Sequence, residues 1–303
     1  MQNNHYDIAV IGGGPAGLQA TLMLARTRKR ILVFDDPQPP RNGASHGVHN
    51  FLGMDGLRPP EIRDVAWQQI NVYQSAELRQ ERVINIQRDH DNQFLVTGDK
   101  GSSIMARQVI LTFGYQDVYP DVAGFVDCWA NTIINCPFCD GYENRDRVWG
   151  IVATSEIQSQ HFPKMLHNWT PHVKLILLPN VPIDPAYKAN LIASGIPVYQ
   201  GAITQIHHTD GKVEALTMDS GEQIELGTLL WIPEKKPSPL IQTLVDNLGL
   251  ELDDNLYIKT NEMKQTNVDG LWAAGDVQGG FSALDAAYAG MMVASMIVKG
   301  WYE

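Results

Sequence analysis

The chain has 303 residues, which at about 150 residues per domain suggests two domains. Hydrophobic residues make up 44% and charged residues 19%, a composition typical of globular and not of disordered proteins. The net charge of -11 disfavours binding to nucleic acid, and without a basic run or a long apolar stretch we expect neither membrane-surface binding nor a membrane span. The polar start, Met1 to Tyr6, predicts no signal peptide, so we expect a cytoplasmic protein.

The N-terminal part of the chain predicts a βαβ unit. An apolar run at Tyr6–Ile11 indicates a buried strand, a helical pattern covers Pro15–Arg26, and a second strand follows at Ile31–Phe34. The next predicted elements are a helix over Pro59–Gln80 and strands at Val83–Gln87, Gln93–Thr97 and Val109–Thr112.

A second unit of the same kind is predicted to begin near Val148. Its predicted elements are a strand at Val148–Val152, a helix over Glu156–His167, strands at Val173–Leu178 and Pro197–Tyr199, hairpin strands beside Asp210-Gly211 and Ser220-Gly221, and a strand at Leu229–Ile232. Three prolines at 233, 237 and 239 suggest a boundary, and a final helix is predicted over Ser282–Lys299.

The turn after the first strand has the pattern Gly-x-Gly-x-x-Gly. Its glycines allow a tight turn and a close approach of the backbone to a pyrophosphate, and the N–H groups of the following helix can bind phosphate. An aspartate at the end of the second strand can bind ribose hydroxyls, and its neighbour is a second candidate. The residues predicted to contact the nucleotide are Gly12, Gly14, Pro15, Ala16, Gly17, Asp35 and Asp36.

A second, distant motif ends in Gly275-Asp276. It resembles the second FAD fingerprint of the pyridine-nucleotide disulfide reductases, in which the carboxylate reaches the ribityl or phosphate region of the flavin. Together the two motifs favour FAD over NAD at this site.

The segment Cys136-Pro137-Phe138-Cys139-Asp140 has the spacing of a redox dithiol, which can close a small reversible disulfide. Half of a zinc site is the alternative, but zinc needs further ligands, and the chain has only one other cysteine, Cys128. We predict that Cys128 is a small buried hydrophobic residue and that the site holds no metal. Asp140 is a candidate acid/base for the thiols, a role compatible with helix capping.

These motifs, in this order, resemble those of the low-molecular-weight thioredoxin reductases over nearly the whole chain. The matching residues are Gly12-x-Gly14-x-x-Gly17, Arg41-Asn42, His49-Asn50-Phe51-Leu52-Gly53, Thr112-x-Gly114, Cys136-x-x-Cys139-Asp140 and Gly275-Asp276 before an Ala-rich helix. The resemblance implies an α/β protein with two nested Rossmann-like, three-layer domains of the FAD/NAD(P)-binding fold. It implies an FAD domain formed by residues 1–117 and 243–303, an inserted dithiol domain over residues 118–242, and a homodimer.

The resemblance also implies roles for individual residues. Cys139 would lie next to the flavin C4a, Cys136 would attack the substrate disulfide, and Asp140 would be the acid/base. Asn50 would lie near the isoalloxazine, and the helix from Ala283 to Gly290 would point N–H groups at the flavin pyrimidine edge. The other residues expected at the cofactor are Arg41, Asn42, His49, Thr112, Gly114, Gly275 and Asp276.

The second nucleotide unit departs from that family. Its strand is followed by Val152-Ala153-Thr154-Ser155-Glu156-Ile157, which has no glycine and adds a negative charge where a phosphate would bind. The next strand is followed by residues 179–184, which contain no arginine to hold a 2′-phosphate. We therefore predict that NADPH is not the electron donor.

Three functions fit this pattern. The first, which we favour, is a flavin-dependent disulfide oxidoreductase similar to ferredoxin-dependent or diflavin-linked enzymes, acting on a protein or small-molecule disulfide or dithiol with an electron-donor protein such as ferredoxin. In the diflavin case a second flavin would occupy the vacated site, stacked on rings from His161, Phe162, Trp169 and Trp231. The second is an oxygen-dependent dithiol oxidase resembling those of the gliotoxin and holomycin type. The third is a flavin-bound redox sensor without turnover.

Overall fold

The computed structural model describes residues 4–280 and 282–301, and the chain divides into two compact units. The first comprises Met1–Gly43, Leu57–Gln116 and Lys235–Glu303, and the second comprises Ala44–Gly56 and Asp117–Glu234. Besides Asp117, which falls in the second unit, two stretches group differently from the sequence-based division at 117/118 and 242/243. Residues 44–56 group with the second unit, and residues 235–242 group with the first.

The first unit is built around a twisted sheet. Its elements up to residue 111 are β1 (His5–Ile11), α1 (Pro15–Ala25), β2 (Ile31–Asp35), α2 (Pro59–Asn71), β3 (Ala76–Gln80), β4 (Val83–Arg88), β5 (Phe94–Gly98) and β6 (Ser103–Leu111). The strand order is β3-β2-β1-β6-β5-β4, with β1, β2, β3 and β6 parallel and β4 and β5 antiparallel. Alternate residues of β1 enter two separate core clusters, as expected for a strand covered on both faces.

The second unit has a parallel sheet and an antiparallel one. The elements that follow β6 are β7 (Gln116–Val118), α3 (Phe125–Cys128), β8 (Ile133–Ile134), α4 (Pro137–Asp140), β9 (Trp149–Ala153), α5 (Glu156–Met165), β10 (Val173–Leu177), α6 (Pro185–Ala193), β11 (Val198–Gln200), β12 (Ile203–Thr209), β13 (Lys212–Met218), β14 (Gln223–Glu225) and β15 (Thr228–Trp231). The parallel sheet has the order β11-β10-β9-β15-β8, and the antiparallel sheet has the order β12-β13-β14. This is the α/β arrangement that the sequence predicts for a second nucleotide-type unit.

The remaining elements are β16 (Glu234–Lys236), α7 (Pro239–Leu248), β17 (Leu271–Ala273) and α8 (Ala283–Gly300). Strand β16 pairs with β7, and β17 pairs with the end of β6 in parallel. Helix α7 places Leu240, Ile241 and Leu244 in the core of the first unit, which explains why residues before 243 belong there. Among the described residues, no helix has the length and apolarity that a bilayer crossing requires.

The predicted helix over Pro59–Gln80 is wrong in its second half. Helix α2 ends at Asn71, Gln74 has a φ of +55°, and the chain then forms β3, which pairs with β2. Strand β3 lies at the sheet edge without alternating buried and exposed residues, so it has no strand signal of its own. Helices α6 and α7 are absent from the sequence-based predictions.

Two glycines allow backbone segments of the first unit to touch. A Cβ added at Gly17 would lie 2.0 Å from the carbonyl oxygen of Gly12, and one added at Gly290 would lie 2.0 Å from that of Ala16. The first contact brings α1 against the residue that follows β1, and the second brings α8 against the start of α1. No larger side chain fits at either position without moving backbone.

Gly290→Ala should destabilise the protein because its methyl group would push α8 away from α1. We expect the free energy of unfolding to fall by about 1–3 kcal/mol in urea denaturation. Gly300→Ala is the matched control, since it lies in the same helix and an added Cβ there would meet no atom within 4 Å. Equal stability of the two variants would contradict the close contact.

Candidate active site

The turn between β1 and α1 leaves space for an anion. Gly12 has a φ of +114°, and a Cβ there would lie 2.6 Å from the carbonyl oxygen of Thr112, so the turn requires glycine. Gly14 precedes α1, and an added Cβ there would meet no atom within 4 Å. No side chain caps this helix and its first turn holds no acidic residue, so its N–H groups suit a pyrophosphate such as that of FAD.

Asp35, at the end of β2, is tied to this turn. Its Oδ1 accepts a hydrogen bond from the Gly13 N–H at 2.9 Å, and its carboxylate pairs with Arg63. The neighbouring Asp36 instead accepts from the N–H of Gln38 at 2.9 Å. Asp35 is thus the aspartate held against the glycine turn, and its contact with ribose stays a prediction.

The second motif reaches the same unit from the far end of the chain. Arg41 Nη1 lies 3.3 Å from Asp276 Oδ2, and a Cβ added at Gly275 would lie 3.1 Å from the Cβ of Ala16. A Cβ added at Gly114 would lie 3.9 Å from the Cβ of Asp276. Four predicted cofactor residues therefore gather beside α1.

The remaining predicted residues of the first unit have local structural contacts. Thr112 Oγ1 donates to the carbonyl oxygens of Ile11 and Gly12, both at 2.9 Å, and Asn42 is exposed. Ala283 is the first residue of α8, where Ser282 accepts a hydrogen bond from the Asp285 N–H at 3.0 Å. The expected N–H contact of this helix with a flavin stays a prediction.

In the second unit, the dithiol lies at the start of α4. Cys136 precedes the helix and Cys139 lies within it, and their sulfur atoms are 2.8 Å apart. Both side chains are half-buried, whereas Cys128 is fully buried, as predicted. The two neighbouring thiols can therefore form a bond with little movement of the backbone.

The two thiols have different acidities. The pKa of Cys136 is lowered to about 7, first by the thiol of Cys139 and also by the N–H groups of Phe138 and Cys139. The pKa of Cys139 is raised, first by its hydrogen bond to Cys136 and then by burial. Of the two thiols, Cys136 therefore ionises the more readily, and about half of it is thiolate at neutral pH.

Asp140 directly follows this pair. Burial raises its pKa from the ordinary value of 3.8 to about 6, with a further rise from the charge of Glu143 and an opposing effect from His49. A carboxyl group that titrates close to neutrality can both donate and accept a proton during thiol chemistry.

Asn144, which the sequence analysis did not identify, anchors this segment. Its Nδ2 donates to the carbonyl oxygen of Asp140 at 2.9 Å, and its Oδ1 accepts from Thr228 Oγ1 at 3.1 Å. Its own carbonyl oxygen accepts from the indole N–H of Trp149 at 2.8 Å. A buried asparagine thus ties the end of α4 to β9 and β15. In the sequence, the only indication of this role is that Asn144 follows Asp140 by four residues.

Residues 44–56 contact the dithiol segment. Asn50 Nδ2 donates to the carbonyl oxygen of Phe138 at 2.6 Å, and His49 Nε2 lies 3.5 Å from Glu143 Oε1. The sequence predicts His49 and Asn50 only at the cofactor, so their contacts with the dithiol segment are not predicted. Their proximity to the flavin stays a prediction.

The turn between β9 and α5 differs from the first one. Ser155 caps α5 by accepting from the Gln158 N–H at 3.4 Å, and the Thr154 N–H donates to Gln158 Oε1 at 2.9 Å. Glu156 adds a carboxylate to the first turn. Side chains of this chain thus accept hydrogen bonds from two N–H groups at this turn.

The aromatic residues suggested as a stacking site do not form one group. Trp231 is buried in one core cluster beside Phe125, whereas Phe162 and Trp169 pack against a different cluster. His161 is exposed. The predicted shared ring stack from these four side chains is therefore wrong. Among the described residues, no group of three or more His, Cys, Asp or Glu side chains could hold a metal ion.

Comparison with known proteins gives a family for this arrangement. The model of the pyridine nucleotide-disulphide oxidoreductase family matches residues 6–147 and 173–294. The interval 148–172, which contains β9 and α5, lies outside this match.

The chain also resembles several individual proteins. It is 27% identical to "Thioredoxin reductase aclD" of Aspergillus oryzae, over 97% of this chain and 95% of that protein. It is 38% identical over 155 residues to "Probable thioredoxin reductase" of Arthroderma benhamiae, a match that spans 50% of this chain but only 38% of that protein. The solved structure of an oxidoreductase from Agrobacterium tumefaciens is 30% identical, has a TM-score of 0.85 and covers 98% of each chain.

Alkylation should distinguish the three thiols. In the reduced protein at neutral pH, we expect iodoacetamide to modify Cys136 first, because its pKa is the lowest. Cys128 should react last, because it is buried and its pKa is raised to about 11. Peptide mass spectrometry over time measures this order, and faster labelling of Cys139 than of Cys136 in the wild-type protein would contradict it.

Asp140→Asn should stabilise the protein at alkaline pH while impairing thiol exchange. Because the pKa is raised in the folded protein, the protonated carboxyl contributes stability that is fully present below a pH of about 4. This stability is lost as the pH rises through about 6. At a pH of about 8 we expect the amide to raise the free energy of unfolding by about 1–2 kcal/mol, with little difference at acidic pH. Asp121→Asn, which changes an exposed aspartate of the same unit, is the control. A pH-independent difference for Asp140→Asn would contradict the assignment.

Proposed function

Because the chain belongs to the pyridine nucleotide-disulphide oxidoreductase family, we propose that it is an FAD-dependent thiol–disulfide oxidoreductase that receives electrons from a donor other than NADPH. The observation that carries this proposal is the dithiol geometry. Two sulfurs 2.8 Å apart include one thiol with a pKa of about 7, and a carboxyl with a pKa of about 6 follows them directly. A nucleophile, a second thiol to resolve the mixed disulfide and a proton carrier are then present within residues 136–140, at the start of α4 and within it.

The residues of the first unit fit the flavin cofactor that the family implies. The glycine turn formed by Gly12, Gly14 and Gly17 is followed by helix α1, whose N-terminus has no side-chain cap. Arg41 and Asp276 lie nearby and could serve as polar partners of the cofactor. When bound, FAD supplies a carrier that can exchange two electrons with the cysteine pair.

The chain's own groups account for the protons in disulfide reduction. The Cys136 thiolate attacks one sulfur of the external disulfide, a Cys136–sulfur bond forms, and the substrate S–S bond breaks. In the fraction of molecules in which Asp140 is protonated, the leaving thiolate takes the proton of the Asp140 carboxyl. The carboxylate then accepts the proton of Cys139, whose thiolate attacks Cys136 Sγ and releases the second substrate thiolate. That thiolate receives the same proton from Asp140, so the substrate leaves as two thiols and the enzyme keeps a disulfide.

The second turn supports a donor other than NADPH. A pyrophosphate needs free N–H groups and close backbone approach, whereas here Ser155 and Gln158 occupy the donors and Glu156 adds negative charge. Asp184, after the next strand, accepts from the Tyr187 N–H at 2.7 Å, so the position expected for a basic clamp holds another acid. An electron-donor protein such as a ferredoxin, or a second flavin, is the alternative source.

The same residues also support the reverse reaction. At neutral pH Asp140 is largely a carboxylate, which can accept a proton from an external dithiol as it is oxidised. Oxygen would then be the final acceptor, so a dithiol oxidase is the second candidate function.

Anaerobic titration of the purified flavoprotein tests the choice of donor. We expect dithionite or a dithiol to bleach the visible absorbance of the flavin and NADPH to leave it unchanged. Rapid stoichiometric bleaching by NADPH would overturn the proposed donor. Oxygen consumption with a dithiol substrate would identify the protein as the oxidase instead of the reductase. Counting the flavins per chain after extraction would reveal a second flavin.

Cys139→Ser tests the dithiol in the same assay. We expect the variant to retain FAD and to lose turnover, because the mixed disulfide on Cys136 can no longer be resolved. Cys128→Ser is the matched control and should keep turnover, since Cys128 is buried in a core cluster that contains neither cysteine of the pair. Full activity of Cys139→Ser would show that the pair is not the redox centre.

A further inference from the structure

Asp35, at the end of β2, rests directly on the glycine turn. Its Oδ1 accepts a hydrogen bond from the Gly13 N–H at 2.9 Å. A Cβ added at Gly13 would lie 2.7 Å from Asp35 Cγ, 2.8 Å from its Oδ2 and 2.9 Å from its Oδ1. The carboxylate therefore occupies the space that a side chain at residue 13 would need, although the motif itself leaves this position open to any residue.

Arg63 binds the other oxygen of this carboxylate. Its guanidinium pairs with Asp35 Oδ2 from α2, a helix that packs against α1. The side chain of Arg63 is 25% exposed and that of Asp35 is 14% exposed, so both are largely buried and still reach solvent. An arginine keeps its positive charge in such surroundings, and the carboxylate beside it stays ionised.

The Asp35 carboxylate keeps acceptor capacity on both oxygens. A carboxylate offers about four lone-pair sites, and the Gly13 N–H and the Arg63 guanidinium use one site on each oxygen. The remaining sites match the two adjacent hydroxyl groups of a ribose, which are both hydrogen-bond donors. The neighbouring Asp36 instead accepts from the Gln38 N–H, in the loop that follows β2.

We propose that Arg63 is a positioning residue of the nucleotide site, which holds the Asp35 carboxylate so that both oxygens accept hydrogen bonds from the adenosine ribose of FAD. The inference rests on the FAD site of the proposed function and is independent of the electron donor. Without the guanidinium, Oδ2 would lose its partner and the carboxylate would be free to rotate. The ribose hydroxyls would then contribute less to the affinity for FAD.

A competition between two flavins tests this role. Full-length holoenzyme is equilibrated with an excess of FAD and of the FAD analogue that lacks the adenosine 2′-hydroxyl, in equal amounts, and the bound flavins are counted by mass spectrometry. We expect the wild-type protein to prefer FAD by about tenfold, because the analogue leaves an acceptor site of Asp35 unpaired. In Arg63→Gln the preference should fall to about twofold.

The ratio of the two bound flavins separates positioning from a purely structural role. A general loss of structure would weaken the binding of both flavins equally and leave the ratio unchanged. Asp35→Asn should lower the preference as Arg63→Gln does, and the double variant should add no further loss, because the arginine acts through the aspartate. Arg63→Lys, which keeps the charge but not the planar fork, should give an intermediate ratio.

Arg58→Gln is the matched control. It removes a guanidinium from the start of the same helix, where Arg58 is 62% exposed and pairs with Glu61. We expect this variant to keep the wild-type ratio of bound flavins.

A wild-type ratio in Arg63→Gln, an equal change in Arg58→Gln, or equal binding of the two flavins by the wild-type protein would overturn the role of Arg63. If Arg63→Gln fails to fold, a wild-type ratio in Arg63→Lys would overturn it instead. If the ratios change as expected while the wild-type protein shows no thiol–disulfide turnover, the proposed function fails and the role of Arg63 stands. A folded wild-type protein that binds no flavin would overturn both.

Discussion

The proposed chemistry of this protein depends on two groups that can each carry a negative charge, the Cys136 thiol and the Asp140 carboxyl, at the start and the end of one short helical segment. Cys136 and Asp140 lie within four residues of each other in a partly buried site, where the charge of Asp140 disfavours ionisation of the Cys136 thiol. Backbone N–H groups stabilise the charge on Cys136, and none of the contacts described offers the same to Cys139. This difference contributes to the opposite pKa shifts of the two thiols, although the two cysteines are only three positions apart.

Two sets of contacts from other parts of the second unit hold this helix in place. Asn144 ties its end to two strands of the parallel sheet through a buried hydrogen-bond network. The loop over residues 44–56 is far away in sequence, yet it binds the other side of the dithiol segment through Asn50 and brings His49 with it. The buried hydrogen bonds of Asn144 favour one geometry, because an alternative would leave its buried donors or acceptors unpaired.

The two strand–turn–helix segments show how one local fold supports or opposes phosphate binding. At α1, glycines allow backbone contact and the helix N-terminus has no side-chain cap. At α5, a serine and a glutamine bind the same kind of N–H group within the chain, and a glutamate repels an anion. Side chains of the chain itself cap α5, whereas the N–H groups at the start of α1 are left for a ligand, so one local fold can form with either arrangement.

The sequence by itself determined the features that depend on local chemistry: the glycine turn, the buried strands, the C-x-x-C pair with Asp140 and the missing glycines at the second turn. Only the tertiary structure decided what depends on distant partners. Strand β3 forms because β2 offers an edge, helix α7 joins the first unit because its apolar face fits that core, and His49 and Asn50 reach the dithiol through a loop. Periodicity and spacing describe neighbours along the chain, whereas pairing, burial and the electrostatic field at Asp140 are sums over residues that the fold alone brings together.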